Sequence, residues 1–133
     1  MRPAILILIC FSFNSLAQVQ TNLIQLQPKD PFENFLIQNL YSDSNGTADI
    51  IWIRKEVKPH KHVSHSEYIY FLEGSGKMLI DDSVQVVNPG DIIFIPENTV
   101  HALKVTSAIP IKVISIHAPQ YDGQDRIPIE REW

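Results

Sequence analysis

The sequence predicts an all-β domain, a sandwich or barrel, on three observations. Short runs rich in Val, Ile, Tyr and Phe recur through most of the chain, each too short for a typical helix. Residues that favour turns separate them, at the roughly ten-residue spacing of all-β domains. No stretch between them carries the apolar period of a helix.

In chain order, residues 18–48 form an N-terminal arm and lead-in strand. They contain Pro28, Pro31 and the run "FLIQNLY" from Phe35 to Tyr41, which reads equally as a short strand or one helical turn. "SDSNGT" (42–47) is a turn, because Asn45-Gly46 supplies the positive φ that tight turns need. Asn45-Gly46-Thr47 also has the form of a glycosylation sequon, which the turn already explains. The barrel is predicted over 49–120, with strands at Ile50–Arg54, Tyr68–Leu72, Lys77–Ile80, Val84–Val87, Ile92–Ile95, Ala102–Thr106 and Ile111–Ile116. The breakers are "EGSG" (73–76), "DDS" (81–83), "NPGD" (88–91) and "IP" (109–110). Asn88-Pro89-Gly90-Asp91 fits a type II turn, with proline second and glycine third. Residues 121–133 are a C-terminal tail in which Asp122-Gly123 marks a turn, and Tyr121, Asp122 and Asp125 read as surface residues.

The bulk numbers exclude several classes. At 133 residues the chain suits one domain. A formal charge of -4 gives no support to a nucleic-acid or anionic-membrane partner. Residues 1–17, "MRPAILILICFSFNSLA", read as a signal peptide. Arg2 precedes an apolar block from Ala4 to Phe13, and the small residues Ser15 and Ala17 suit a cleavage site before Gln18. The block is about half the ~20 residues a membrane span needs. The mature chain is then exported, periplasmic or extracellular, with no membrane span. The single cysteine, Cys10, leaves with the leader. Any metal in the mature protein must therefore be held by nitrogen and oxygen.

Three of the five histidines fall in "HKHVSHSE", residues 60–67. On an extended segment His60 and His62 point to one side, following Pro59, whose φ suits extended backbone. Glu67 lies an odd number of positions after His62, so a turn or bulge within "VSHS" must intervene if all three converge. Glu67 then shares a face with Ile69 and Phe71. His101 heads "HALKV", where Lys104 faces water and places His101, Leu103 and Val105 on the inner side. His65, in the turn, reads best as a solvated loop residue. His117 ends the last strong strand with no partner visible in the sequence.

The stretch from His60 to His101 resembles the cupin superfamily. Its first motif, G-x5-H-x-H-x3,4-E-x6-G, is matched by His60, His62, Glu67 and Gly74, although Arg54 stands where the leading glycine belongs. Its second, G-x5-P-x-G-x2-H-x3-N, is matched by Gly90, Pro96 and His101. Asn98 replaces the central glycine, a mild change because asparagine tolerates left-handed backbone. Val105 replaces the terminal asparagine, which is not a ligand. The resemblance implies a double-stranded β-helix (jelly-roll) barrel, a divalent metal held by His60, His62, Glu67 and His101, and a homodimer. Three imidazoles and a carboxylate suit Fe, Mn, Zn, Ni, Co or Cu, and affinity order does not choose among them.

Function follows less directly, because one fold hosts many chemistries. The resemblance implies a metal-dependent enzyme acting on a small oxygen-bearing molecule, of dioxygenase, isomerase or lyase type. The alternatives are a non-catalytic module that binds a small ligand or sugar through the metal, and a metal-free scaffold.

Overall fold

The computed structural model describes residues 20–133, and the signal-peptide reading of 1–17, with Cys10, lies outside them. Ten strands follow one another: β1 (Phe35–Asp43), β2 (Gly46–Ile53), β3 (Glu56–His62), β4 (Ser66–Glu73), β5 (Gly76–Ile80), β6 (Ser83–Val87), β7 (Ile92–Ile95), β8 (His101–Val105), β9 (Ile111–Ala118) and β10 (Arg126–Pro128). They form two five-stranded sheets, in the orders β1-β2-β9-β4-β7 and β10-β3-β8-β5-β6, and every pairing is antiparallel. This is the all-β jelly roll the sequence predicts.

Alternation along the strands builds the core. In β4, Ile69 and Phe71 point inward and are buried while Tyr68 and Tyr70 are exposed, as the two-residue period requires. With Ile53, Met78, Val87, Ile93, Ile95, Leu103, Ile111 and Val113 they fill the space between the sheets. "FLIQNLY" resolves as the strand β1, paired with β2 along its length. On β9, Lys112 is buried and donates to Glu73 Oε1 (2.9 Å) and to the carbonyl of Ile24 in the arm (3.2 Å).

The turns differ in how they use their special residues. The 88–91 turn closes with Asp91 N–H donating to Asn88 O at 3.1 Å and Gly90 at φ 96°, as a type II turn needs. The β1–β2 hairpin corrects the reading of Asn45-Gly46, because neither residue has a positive φ. Asp43 Oδ1 instead accepts the N–H groups of Asn45 (2.8 Å) and Gly46 (3.3 Å), an Asx-type closure. Glycine is required at 46 by space, since a Cβ there would lie 2.9 Å from the His117 carbonyl oxygen.

Gly74 answers to both constraints. Its φ is 73° and an added Cβ would lie 2.6 Å from the carbonyl oxygen of Pro110. The left-handed backbone alone costs a non-glycine residue about 1–3 kcal/mol, and the clash is with backbone that cannot swing aside. Gly74→Ala is therefore expected to lower stability by at least that amount. A urea midpoint indistinguishable from the parent's would show that the β4–β5 turn can move.

Candidate metal centre

The site begins with a break in alternation. In β3, Val57 pairs with Leu103 but His60 pairs with His101, so one extra residue is accommodated at Lys58-Pro59. A bulge of this kind re-aims the side chains that follow, and proline, which cannot donate to the ladder, is tolerated there. Beyond it His60 and His62 both turn inward and are buried. The chain then crosses to the other sheet through residues 63–65. Glu67 enters on β4, paired with His117 of β9. His101 opens β8 after Asn98, whose φ of 62° and N–H to His62 O (2.6 Å) match the left-handed residue expected in place of glycine.

The structure thus brings together all four residues singled out in the sequence. One ring nitrogen from each of His60, His62 and His101 lies within 4.8 Å of the others, and His62, Glu67 and His117 form a second such group. His60 and His101 are closest, with centroids 4.2 Å apart. Glu67 Oε2 lies 3.2 Å from His101 Nε2, and Oε1 lies 3.6 Å from His117 Nε2.

Three imidazoles are held from behind. His60 Nδ1 donates to Lys58 O (2.9 Å), His101 Nδ1 to Thr99 O (3.0 Å) and His62 Nδ1 to Asp125 Oδ1 (3.0 Å). Each bond fixes the tautomer and leaves Nε2 with its lone pair for the cluster. Burial pushes His60 down to about 3, with the neighbouring His101 and Arg126 acting in the same direction. Burial also lowers His62 and His117. For Glu67, burial acts upward but is outweighed by His101, His117 and the Ser115 hydroxyl, which donates to Oε1; the carboxyl sits at about 2. His60, His62 and His117 are therefore held neutral and Glu67 ionised, the forms that ligate a divalent cation. His101 Nε2, though near Glu67, is buried and not aligned for a hydrogen bond with any described residue. Such an orphaned polar atom is costly, and a metal ion would satisfy it.

Three readings need correction, and the first is Tyr121, which is no surface residue but is half-buried against His62, His65 and His117. His65 is not solvated: it is buried, with Nδ1 at 2.5 Å from Asp125 Oδ2 and Nε2 at 2.6 Å from Gln120 O. Two acceptors require two N–H donors, the imidazolium form, which has no lone pair for a metal. Burial opposes that form, but the bonds to Asp125 and Gln120 raise the ring's pKa overall. Asp125 is not a surface residue either. Ser64 N–H (2.9 Å) and hydroxyl (3.0 Å) join the two histidines in donating to it. These donors hold its carboxyl well below the usual range, against the upward pull of burial. Lys104 lies outside as expected, but the tail covers it: its ammonium donates to the Trp133 carbonyl and sits 4.6 Å from the centre of the indole.

The cluster forms one wall of a cavity of about 210 Å³. Phe35, Ile37, Ile51, Phe71, Met78 and Val113 supply apolar surface, while Tyr121 and Arg126 of the tail line it as well. The volume is below the ~300–1,000 Å³ of pockets for drug-sized ligands. Of the residues not anticipated, Ser115 and His117 had a signal: Ile111, Val113, Ser115 and His117 share one face of their strand, so two polar groups continue an apolar stripe.

Residues 50–117 match the family model described as "Cupin domain". An uncharacterized protein of Aquifex aeolicus is 28% identical over 98 residues, which are 74% of this chain and 80% of that one. Quercetin 2,3-dioxygenase of Bacillus subtilis is 42% identical over 48 residues, 36% of this chain and 14% of the enzyme. The crystal structure of an RmlC-like cupin from Shewanella frigidimarina superposes with a TM-score of 0.63 at 25% identity, covering 74% of this chain and 87% of that one.

Proposed function

The chain belongs to the cupin family, and from that premise we propose that it is a metalloenzyme for a small oxygen-bearing molecule, with one divalent transition metal held by His60, His62, Glu67 and His101. The observation that carries this reading is the set of three buried imidazoles whose Nδ1 atoms are tied back, presenting Nε2 beside an ionised, buried carboxylate. The ion supplies Lewis acidity or, if redox-active, a site for dioxygen. The chain's own residues do the rest. The apolar walls exclude water and admit only a small body, and the Tyr121 hydroxyl and Arg126 guanidinium orient polar groups of the bound molecule. The likeness to 48 residues of a dioxygenase supports testing oxygen chemistry before isomerase or lyase chemistry.

The test starts with elemental analysis of protein purified without a histidine-rich tag. Reloaded protein is then screened by NMR and oxygen uptake against small hydroxy- and oxo-acids. Bound metal together with turnover supports the enzyme. Saturable binding with the ligand returned intact would make the protein a binding module instead. A chain that takes up none of several divalent ions would sink the metal site itself.

Two further expectations belong to this reading. Residues 1–17 direct export, and the chain pairs with a second copy through the outer face of the sheet that holds β4. Tyr68, Tyr70, Ile92, Phe94 and Ile116 are exposed there and lie in neighbouring register positions, a contiguous apolar surface of the kind that marks an interface. Material secreted with Gln18 as its first residue, and twice the monomer mass in light scattering that Phe94→Lys reduces to the monomer's, would support both. Cell-retained protein would count against export, and a monomeric parent against pairing.

A further inference from the structure

We infer that His117 is a fifth donor to the metal centre, so that the sheet carrying Glu67 contributes an imidazole as well as a carboxylate. This rests on the reading of His60, His62, Glu67 and His101 as ligands. It extends that reading to a residue outside the two sequence motifs.

The first support is position. His117 is 5% exposed, pairs in register with Glu67 and lines the cavity. A ring nitrogen of His117 lies within 4.8 Å of donor atoms of both His62 and Glu67. His62 belongs also to the group with His60 and His101, so an ion beside His62 is near both sets.

The second support is the state of its nitrogens. Each of the other four histidines has its Nδ1 in a hydrogen bond. His117 has neither nitrogen so engaged. Its Nδ1 is buried with no hydrogen-bond partner among the described residues. Its Nε2 stands 3.6 Å from Glu67 Oε1, beyond hydrogen-bond reach. Tyr121 stacks on its face at 4.4 Å and 19°, which orients the ring without engaging either nitrogen. A buried ring nitrogen with no acceptor or donor has lost its hydration without replacement. A cation shared with His62 and Glu67 would give this ring the partner it lacks. His65, with both nitrogens in hydrogen bonds, is the internal contrast. One fewer coordination position is then open to a small molecule than three histidines and a glutamate would leave.

The test uses the full, unaltered chain, labelled with ¹⁵N and titrated with Zn(II). The ring-nitrogen resonances of His60, His62, His101 and His117 are expected to move together, with those of His65 keeping their positions. His117→Gln, loaded with Co(II), is expected to show altered visible bands and about tenfold or weaker metal affinity by chelator competition. Loss of a mere supporting partner already costs 10–100-fold. If the protein binds Zn(II) while the His117 resonances stay fixed, and the variant keeps the parent's Co(II) spectrum, the inference fails and the four-residue site stands. If the parent binds neither ion, both fail together.

Discussion

His101→Ala is expected to leave a folded protein that has lost its metal. The substitution removes one of three imidazoles that one sheet contributes, the ring in closest contact with His60, and a nitrogen 3.2 Å from Glu67 Oε2. The remaining donors cannot close around an ion from that side. The backbone does not depend on the ring, because β8 is paired with β3 on one edge and β5 on the other, and Ala102 and Leu103 stay in place within the interior. Elemental analysis should find about one ion per chain in the parent and roughly a tenth of that in the variant, since metal affinity rests on a complete donor set. The metal-free variant should lose only about 1–3 kcal/mol, the cost of leaving the Thr99 carbonyl without its donor. Equal metal in both proteins would show that His101 is a core histidine and that the ion, if any, sits elsewhere.

Much of this was legible before the fold was known, and the exceptions share a physical cause. Seven β-rich runs foretold seven of the strands because side-chain alternation is written locally. β3, "EVKPHKH", escaped because its bulge breaks the two-residue period and its lysines and proline look like loop. β10 escaped because three residues carry no period at all, and only pairing to His60–His62 makes them a strand. The motif histidines and Glu67 were visible because ligand geometry imposes a fixed spacing on adjoining strands. His65 was misread for the opposite reason. Its neighbours are those of a solvated turn, and it is buried only because a segment some sixty residues later folds across it. Asp125, Tyr121 and Arg126 arrive on that same segment, where no short-range pattern could announce them.

Asp125→Ala is the sharper test of what the tail contributes, and metal affinity is expected to fall about 10–100-fold, the usual loss when a carboxylate behind a ligating histidine is removed. Asp125 is a positioning residue. Its Oδ1 accepts from His62 Nδ1, and its Oδ2 accepts from His65 Nδ1 and from the Ser64 N–H and hydroxyl. The substitution therefore frees the His62 ring to choose the other tautomer and leaves the His65 cation buried without its counter-charge. Asp125→Asn keeps the shape and one oxygen, but its amide nitrogen cannot accept from the donors that remain, so it should fall between Ala and the parent. Chelator competition with Zn(II) measures the affinity, and thermal unfolding of the metal-free proteins separates local slackening from loss of the tail. A tail that merely packs on the surface predicts lower stability with affinity unchanged. A carboxylate that steers His62 predicts the affinity loss even where Asp125→Asn melts like the parent, and Arg131→Ala, which cuts the tail's contacts with Asp81 O and Asp82 Oδ1, neither of them a partner of a cluster imidazole, should leave metal binding as it was.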